Sequence, residues 1–389
     1  MIPYGKHHID EDDIQAVVRV LQGSMITQGP AIELFEKKVA DYVGAKFAVA
    51  VSSGSAALHL SALAADIQPG RSLVTSPITF VATANAGLHP GGDVIFADID
   101  PETINMSPEA LQNILAKNKS VRAIVPVHFA GLPCDMKNIK SLADESEAVV
   151  IEDAAHALGA TYDNGNKVGC CENSLMTIFS FHPVKAIAAG EGGMITTNDE
   201  IIYRKLLKLR SHGINKIDDP LFLPEAYDDS ERNPWYYEMQ ELGFHYRITD
   251  IQSSLATSQL NKIDDFIARR RTLVMQYDKA FKGLKNCRPA QVMGKDQSGH
   301  HLYVLRIDFN SIGLTRGQFM RALSASNIGS QVHYIPVPLH PYYQKLGHNL
   351  NSFKNAKEYY DQALSIPLFY DLTDGEQSYV IKTIKALLG

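Results

Sequence analysis

The chain has 389 residues, 45% of them hydrophobic and 21% charged, with 37 basic against 43 acidic side chains. That length and composition describe an ordinary globular protein with a substantial core, and one large domain with a smaller companion is the natural expectation. The near balance of charge excludes a whole-molecule field for nucleic acid or an anionic membrane, so an anionic ligand must be caught locally.

The amino terminus, MIPYGKHHIDEDD, lacks the basic-then-apolar pattern of a signal peptide, and no apolar run approaches the roughly 18 residues of a membrane span. Between residues 30 and 200 short apolar runs alternate with helical patterns, which predicts a largely parallel sheet covered by helices. Strands are expected over 47–52, 72–75, 93–97, 121–127, 148–152, 175–181 and 193–197, rich in Val, Ile and Phe as strands buried on both faces are. Helices fit between them over 32–42, 56–65, 107–115 with Pro108 in its first turn, and 136–144. The polar stretch 216–235, with three prolines, reads as a long mobile surface loop or flap.

Thr249 and Gln252 are then spaced as a capping box that opens a helix. Ile263, Phe266, Ile267, Val274, Tyr277 and Phe281 keep a helical period along a second, longer one. It leads into a smaller carboxy-terminal domain, where 301–309 reads as a strand and Thr373 with Glu376 starts the final helix. The expected division is an amino-terminal segment with a large ligand-binding domain over 1–245, followed by connecting helices and a small α+β domain over 246–389. Cys134, Cys170, Cys171 and Cys287 form no CxxC pair and read as reduced thiols of a cytoplasmic protein.

The chemistry concentrates in SFHPVKAIAAGEGG, 180–193, where Lys185 follows an apolar strand and precedes a glycine cluster. A lone lysine is ordinarily a solvated surface residue. Earlier, AVVIEDAAHALGA sets Asp153 just beyond a hydrophobic strand, where parallel sheets position ligand-binding groups; a cap for the next helix is the competing reading. A carboxylate there can hold a pyridine nitrogen protonated and make the ring an electron sink. Lysine as covalent anchor and aspartate as pyridinium partner complement each other, and together they point to pyridoxal 5'-phosphate.

AVAVSSGSAALHL places 52–55 between a strand and a helix, where free backbone N–H groups, small side chains and the helix dipole form a phosphate cradle. Serine and glycine also fill ordinary strand-to-helix turns. Ser180 can add a hydroxyl to the same phosphate. Phe80, in SPITFVATANA, offers a flat face to an aromatic cofactor or packs as a core aromatic. His156 approaches the cofactor's phenolic oxygen or is a satisfied polar residue. No metal is expected, and no GxGxxG follows the early strands to suggest a nicotinamide dehydrogenase. A doubly wound protein that binds a nucleotide without catalysis is the alternative from a different class.

In this order, over essentially the whole chain, these motifs resemble the DegT/DnrJ/EryC1/StrS family of sugar aminotransferases. SMITQGPAIELFEKKVADYVGAKFAVAVSSGSAALHL, TSPITFVATANA, IEDAAHALGA, LRSHGI, GFHYRITDIQSSLATSQL and SIPLFYDLT carry the likeness together with the segments above. The resemblance implies a type I PLP-dependent aminotransferase fold, an α/β structure with a mostly parallel sheet flanked by helices, and a homodimer with active sites between subunits. It makes Lys185 the cofactor anchor and proton shuttle, Asp153 the pyridinium partner and Phe80 the stacking ring, with Gly54, Ser55 and Ser180 around the phosphate. Tyr4, Ser24, Met25, Ile26, Thr27, Gln331, Val332, His333 and Tyr334 match positions that line a nucleotide-sugar site.

The usual GxNxR motif reads Gly243, Phe244, His245, Tyr246, Arg247 here, so His245 stands where an asparagine reaches the neighbouring subunit's cofactor phosphate. Histidine still donates a hydrogen bond, with a different reach and pH dependence. Arg247 is a candidate partner for substrate carboxylates. HFAGLPCDM, WYYEMQELGFHYRITDIQ and SQVHYIPVPLHPYYQ most resemble family members of pseudaminic acid biosynthesis. That likeness implies amino transfer from glutamate to carbon 4 of a UDP-linked 4-keto-6-deoxy-N-acetylhexosamine, giving UDP-4-amino-4,6-dideoxy-N-acetyl-β-L-altrosamine. A different UDP- or dTDP-linked keto sugar is the alternative substrate.

Overall fold

The computed structural model describes residues 1–215 and 220–389. Among the described residues, seven strands form one sheet: β1 (Phe47–Val51), β2 (Ser72–Thr75), β3 (Asp93–Phe96), β4 (Val121–Val125), β5 (Val149–Asp153), β6 (Met176–Ser180) and β7 (Gly193–Thr197). Their order across the sheet is β1-β7-β6-β5-β4-β2-β3. Neighbours from β6 to β3 run parallel, whereas β7 is antiparallel to both β1 and β6. The apolar runs therefore mark the strands within a residue or two.

Asp153 proves to be the last residue of β5 rather than one beyond it. Its N–H donates to the Pro126 carbonyl at 2.9 Å and its carbonyl accepts from the His128 N–H at 3.1 Å, so the ladder continues through it.

Side chains alternate across the sheet, and so does the core. Ala48, Ala50, Phe179 and Met194 face one layer, where Phe35 and Val39 of α2 (Pro30–Val43) and Ile263 pack against them. Val49, Val51, Ile178 and Ile195 face the other, against Leu60 of α3 (Gly54–Ala64) and Leu206 of α7 (Glu200–Arg210). Phe35 and Leu60 are fully inaccessible, and such burial contributes about 1.5–3 kcal/mol per side chain. The remaining helices of this layer system are α4 (Val81–Leu88), α5 (Pro108–Lys117) and α6 (Met136–Glu145).

An additional helix, α1 (Glu11–Gln22), opens on a capping box in which Asp10 accepts from the Asp13 N–H and Asp13 accepts from the Asp10 N–H. The expected boxes also form: Thr249 with Gln252 at α8 (Asp250–Leu260), and Thr373 with Glu376 at the final helix, Asp374–Leu388. The long helix α9 (Ile263–Phe281) follows α8 and buries Ile263, Phe266, Ile267, Val274, Tyr277 and Phe281.

Beyond it lies a three-stranded antiparallel sheet of β8 (Cys287–Pro289), β9 (Tyr303–Ile307) and β10 (Ala363–Ile366). The strand expected over 301–309 is shorter at both ends. His301 instead gives its N–H to the Ala130 carbonyl at 2.9 Å, which turns it toward the large sheet.

The loop expected over 216–235 begins at 216–219, which lie outside the described residues. Its described part is not structureless: Tyr227–Asp228 pairs with Glu231–Arg232, and the Glu238 carboxylate accepts the Phe222 and Leu223 N–H groups. The start of the amino-terminal arm is bonded to the carboxy-terminal part of the chain. Ile2 bonds to the Asn327 carbonyl and the Gly329 N–H, both at 2.7 Å, and the Tyr4 carbonyl accepts from Leu368 at 3.0 Å. No helix among the described residues is long and apolar enough to cross a membrane.

Candidate active site

A cavity of about 410 Å³ opens at the carboxyl ends of β5 and β6, beside the starts of α3 and α4, the position where α/β sheets place ligands. Asp153 and Lys185 both line it. Asp153 is buried, and its two carboxylate oxygens accept from Thr83 Oγ1 at 2.7 Å and from the Ala155 N–H at 3.1 Å. Burial raises its pKa above the ordinary carboxylate value, while the Thr83 hydroxyl, the Ala155 N–H and the Lys185 ammonium work the other way.

Lys185 keeps some surface toward the cavity but is enclosed by protein. That enclosure lowers its pKa to about 8 against the opposing pull of Asp153. It rides on the segment between β6 and β7, whose two feet, Ser180 and Gly193, are register partners.

His156 adjoins them. Its Nε2 lies 2.8 Å from the Tyr334 hydroxyl, its ring is stacked on Tyr334, and its Nδ1 is buried without a protein partner. Burial first, and then the charges of Lys185 and His333, hold its pKa well below the usual imidazole range. His333 bonds to Ser365 Oγ through Nδ1 at 2.7 Å and is pushed down to about 3, chiefly by burial. Tyr4 packs against His333 with ring centroids 5.5 Å apart. Phe80 is the N-cap residue of α4 and is 57% exposed at the cavity, which leaves a large apolar ring for a ligand to cover.

On another wall, Ser53 caps α3 by accepting from the Ala56 N–H, and the remaining N–H groups of the first turn have no partner within the helix. Gly54 and Ser180 touch so closely that a Cβ on Gly54 would sit 2.9 Å from Ser180 Cβ. Backbone donors, a close glycine and hydroxyls at a helix start suit a phosphate. With a buried carboxylate, a lysine of lowered pKa, an exposed aromatic face and an orphan imidazole nitrogen on the same cavity, these residues fit pyridoxal 5'-phosphate.

Of the residues singled out in the sequence, Tyr4, Gly54, Ser55, Phe80, Asp153, His156, Ser180, Lys185, His333 and Tyr334 meet at this cavity. The others lie elsewhere on the chain. Ser24 and Met25 line a separate depression beside α1, α2 and α8; Ile26 is exposed and Thr27 bridges to Thr249. Gln331 exchanges backbone bonds with Ser365, and the Val332 N–H donates to Gln331 Oε1. His245 stacks on His212 with centroids 5.4 Å apart, and Arg247 lines a groove with Glu36 and Arg210.

Among the cavity residues that the sequence did not single out, Thr83 touches Asp153 and His301 lies against His156. Thr83 bonds to Thr79 at 2.7 Å one helical turn earlier, and that hydroxyl pair in TSPITFVATANA was a readable signal. His301, whose ring lies 4.3 Å from that of His156, has no local signature.

Comparison with known proteins agrees with this geometry. The DegT/DnrJ/EryC1/StrS aminotransferase family matches residues 7–385. The chain is 38% identical over 389 residues to the spore coat polysaccharide biosynthesis protein SpsC of Bacillus subtilis, covering 100% of this chain and 97% of that one. Among solved structures it resembles PseC of Helicobacter pylori, an aminotransferase involved in the biosynthesis of pseudoaminic acid, with a TM-score of 0.90, 29% identity, and coverage of 100% and 99% of the two chains. It also resembles Spr1654 of Streptococcus pneumoniae in its PLP form, with a TM-score of 0.88, 27% identity, and coverage of 100% and 98%. The chain belongs to the DegT/DnrJ/EryC1/StrS aminotransferase family and is a sugar aminotransferase that works with pyridoxal 5'-phosphate.

Proposed function

We propose that this enzyme transfers the amino group of glutamate to carbon 4 of a UDP-linked 4-keto-6-deoxy-N-acetylhexosamine, giving UDP-4-amino-4,6-dideoxy-N-acetyl-β-L-altrosamine. The whole-chain likeness to PseC supports this sugar. The observation that carries the assignment of residues is the meeting of Asp153, His156 and Lys185 with the start of α3 on one cavity.

In this reading Lys185 Nζ anchors the cofactor, Asp153 partners its pyridine nitrogen, Phe80 covers the ring, and Gly54, Ser55 and Ser180 surround the phosphate. His156 serves the phenolic oxygen. When bound, pyridoxal phosphate supplies an electron sink for the pair released as the C–H bond beside the amino nitrogen breaks. Lys185 Nζ takes the proton from the α-carbon of glutamate and in the second half-reaction delivers a proton to the sugar's carbon 4. A pKa of about 8 suits an amine that must both accept and release a proton near neutrality. Thr83 and the Ala155 N–H fix the Asp153 carboxylate, so its charge needs no reorientation when it is used.

Tyr4, His333 and Tyr334 contact the sugar, with Gln331 and Val332 setting the backbone that presents them. We place the enzyme in the cytoplasm as a homodimer. There Ser24, Met25, Ile26, Thr27, His245 and Arg247, away from their own chain's cavity, complete the partner's nucleotide-sugar and phosphate sites. The exposure of Met25 and Ile26, 45% and 52%, supports a covered face there. A division at 245/246 into a large cofactor-binding and a small carboxy-terminal domain belongs to the same proposal.

The test is to supply glutamate with a panel of UDP- and dTDP-linked 4-keto sugars and identify the aminated product. Amination of the UDP-linked N-acetyl sugar at carbon 4 is expected. Failure with every UDP-linked N-acetyl sugar refutes the substrate and leaves the family intact.

A further inference from the structure

Lys185 also reaches a second, smaller cleft of about 10 Å³, room for one water or one small ion. The titratable groups that line it are Lys6, His7, His8, Lys185, Arg270 and Tyr370, with no carboxylate among the described residues. Asp371 is held on His8 Nδ1 at 2.7 Å and does not line the cleft.

Arg270 makes this lining unusual. It is 4% exposed, and its Nη1 donates to the carbonyls of Leu368, His301 and His300 at 3.0, 3.3 and 3.4 Å. Its Nε is buried without a partner, and it forms no ion pair among the described residues. Two other poorly exposed arginines are treated differently: Arg210 meets Glu36 at 2.5 Å and Arg306 meets Glu358 at 2.7 Å. Burial lowers the Arg270 pKa to about 10, still far above neutrality, so the guanidinium stays charged. Carbonyl dipoles satisfy one of its amino groups but do not neutralise a buried cation, and buried charges are ordinarily paired.

We propose that this cleft binds one small inorganic anion, chloride in solution, as the counter-ion of Arg270 beside Lys185. The anion is held by the guanidinium and by the basic arm at Lys6. It occupies a site apart from the cofactor cavity, and the inference does not depend on which sugar is aminated.

The experiment uses holoenzyme crystals soaked in sodium bromide, with thermal melts in sodium chloride and sodium gluconate at equal ionic strength. An anomalous bromide peak within hydrogen-bond reach of the Arg270 guanidinium is expected. Melting in chloride should lie about 2 °C above that in gluconate, the shift that a Kd tenfold below the salt concentration gives a chain of this length. Arg270→Met should abolish both signals. Should that variant fail to fold, Lys6→Gln at the exposed rim should reduce both. Bromide peaks only at surface cations, or equal melting in the two salts with an empty cleft, overturn the proposal. Retention of full signals in Lys6→Gln and Arg270→Met overturns it equally.

Discussion

Replacing Asp153 by asparagine separates its charge from its shape. In the native chain the two oxygens accept from Thr83 Oγ1 and from the Ala155 N–H. Asparagine keeps its carbonyl for Ala155 and turns its amide toward Thr83, whose hydroxyl then donates to Thr79 Oγ1, already 2.7 Å away. The local network therefore survives and only the charge is lost. A unit charge at hydrogen-bond range and an effective dielectric of about 20 is worth about 4 kcal/mol, so transamination should fall about a thousandfold.

Stability should move the other way. Burial places the folded-state pKa of Asp153 above its unfolded value, so stability falls as pH rises through that interval, and the ionised group is a net cost at neutral pH. The cofactor-free variant should melt at or above the wild-type temperature. The assay is single-turnover reaction with glutamate, followed by the visible absorbance of bound cofactor, beside a melt of both proteins. Near-normal turnover in Asp153→Asn, with cofactor bound, removes Asp153 from the proposed role.

Three further outcomes are expected. Capture of added pyridoxal phosphate by the cofactor-free protein should increase with pH around a midpoint near 8, because the neutral amine is the nucleophile and burial favours it. An ordinary lysine midpoint near about 10.4 contradicts this, as does unchanged covalent capture in Lys185→Ala. Gly54→Ala forces a Cβ to 2.9 Å from that of Ser180, so it should cost about 1–3 kcal/mol in melts and weaken cofactor binding in a fluorescence titration. His245→Asn should keep or tighten cofactor affinity by equilibrium dialysis, and a large loss assigns the histidine a role of its own.

Much of this arrangement was legible because it is local. Runs such as Ser72–Thr75 and Gly193–Thr197 are apolar enough to be buried on both faces, and the Thr249 and Thr373 capping boxes are spelled out within four residues. The helix Glu11–Gln22 was spelled out as well, by Asp10 and Asp13, but the acidic Glu11 and Asp12 between them mask the box. The backward run of β7 between β1 and β6 has no such local mark, since a strand's direction is set by where its partners lie. His301 belongs to the same class: its place follows from contact with His156, a residue far away in the chain.

The reversal of β7 has a mechanical consequence for Lys185. A parallel strand would have to be entered from the opposite end of the strands, and the chain would run back along their full length in a crossover before re-entering the sheet. Because β7 runs backward, the segment leaves at Ser180 and re-enters at Gly193 directly opposite, so both feet stand on adjoining rungs of one hydrogen-bonded ladder. A Cβ on Gly193 would lie 2.3 Å from the Ser53 carbonyl oxygen, which puts the same footing hard against the start of α3. The lysine thus sits on a short arch clamped at its base. An insertion or deletion within that arch would change the reach of Nζ while leaving the sheet intact.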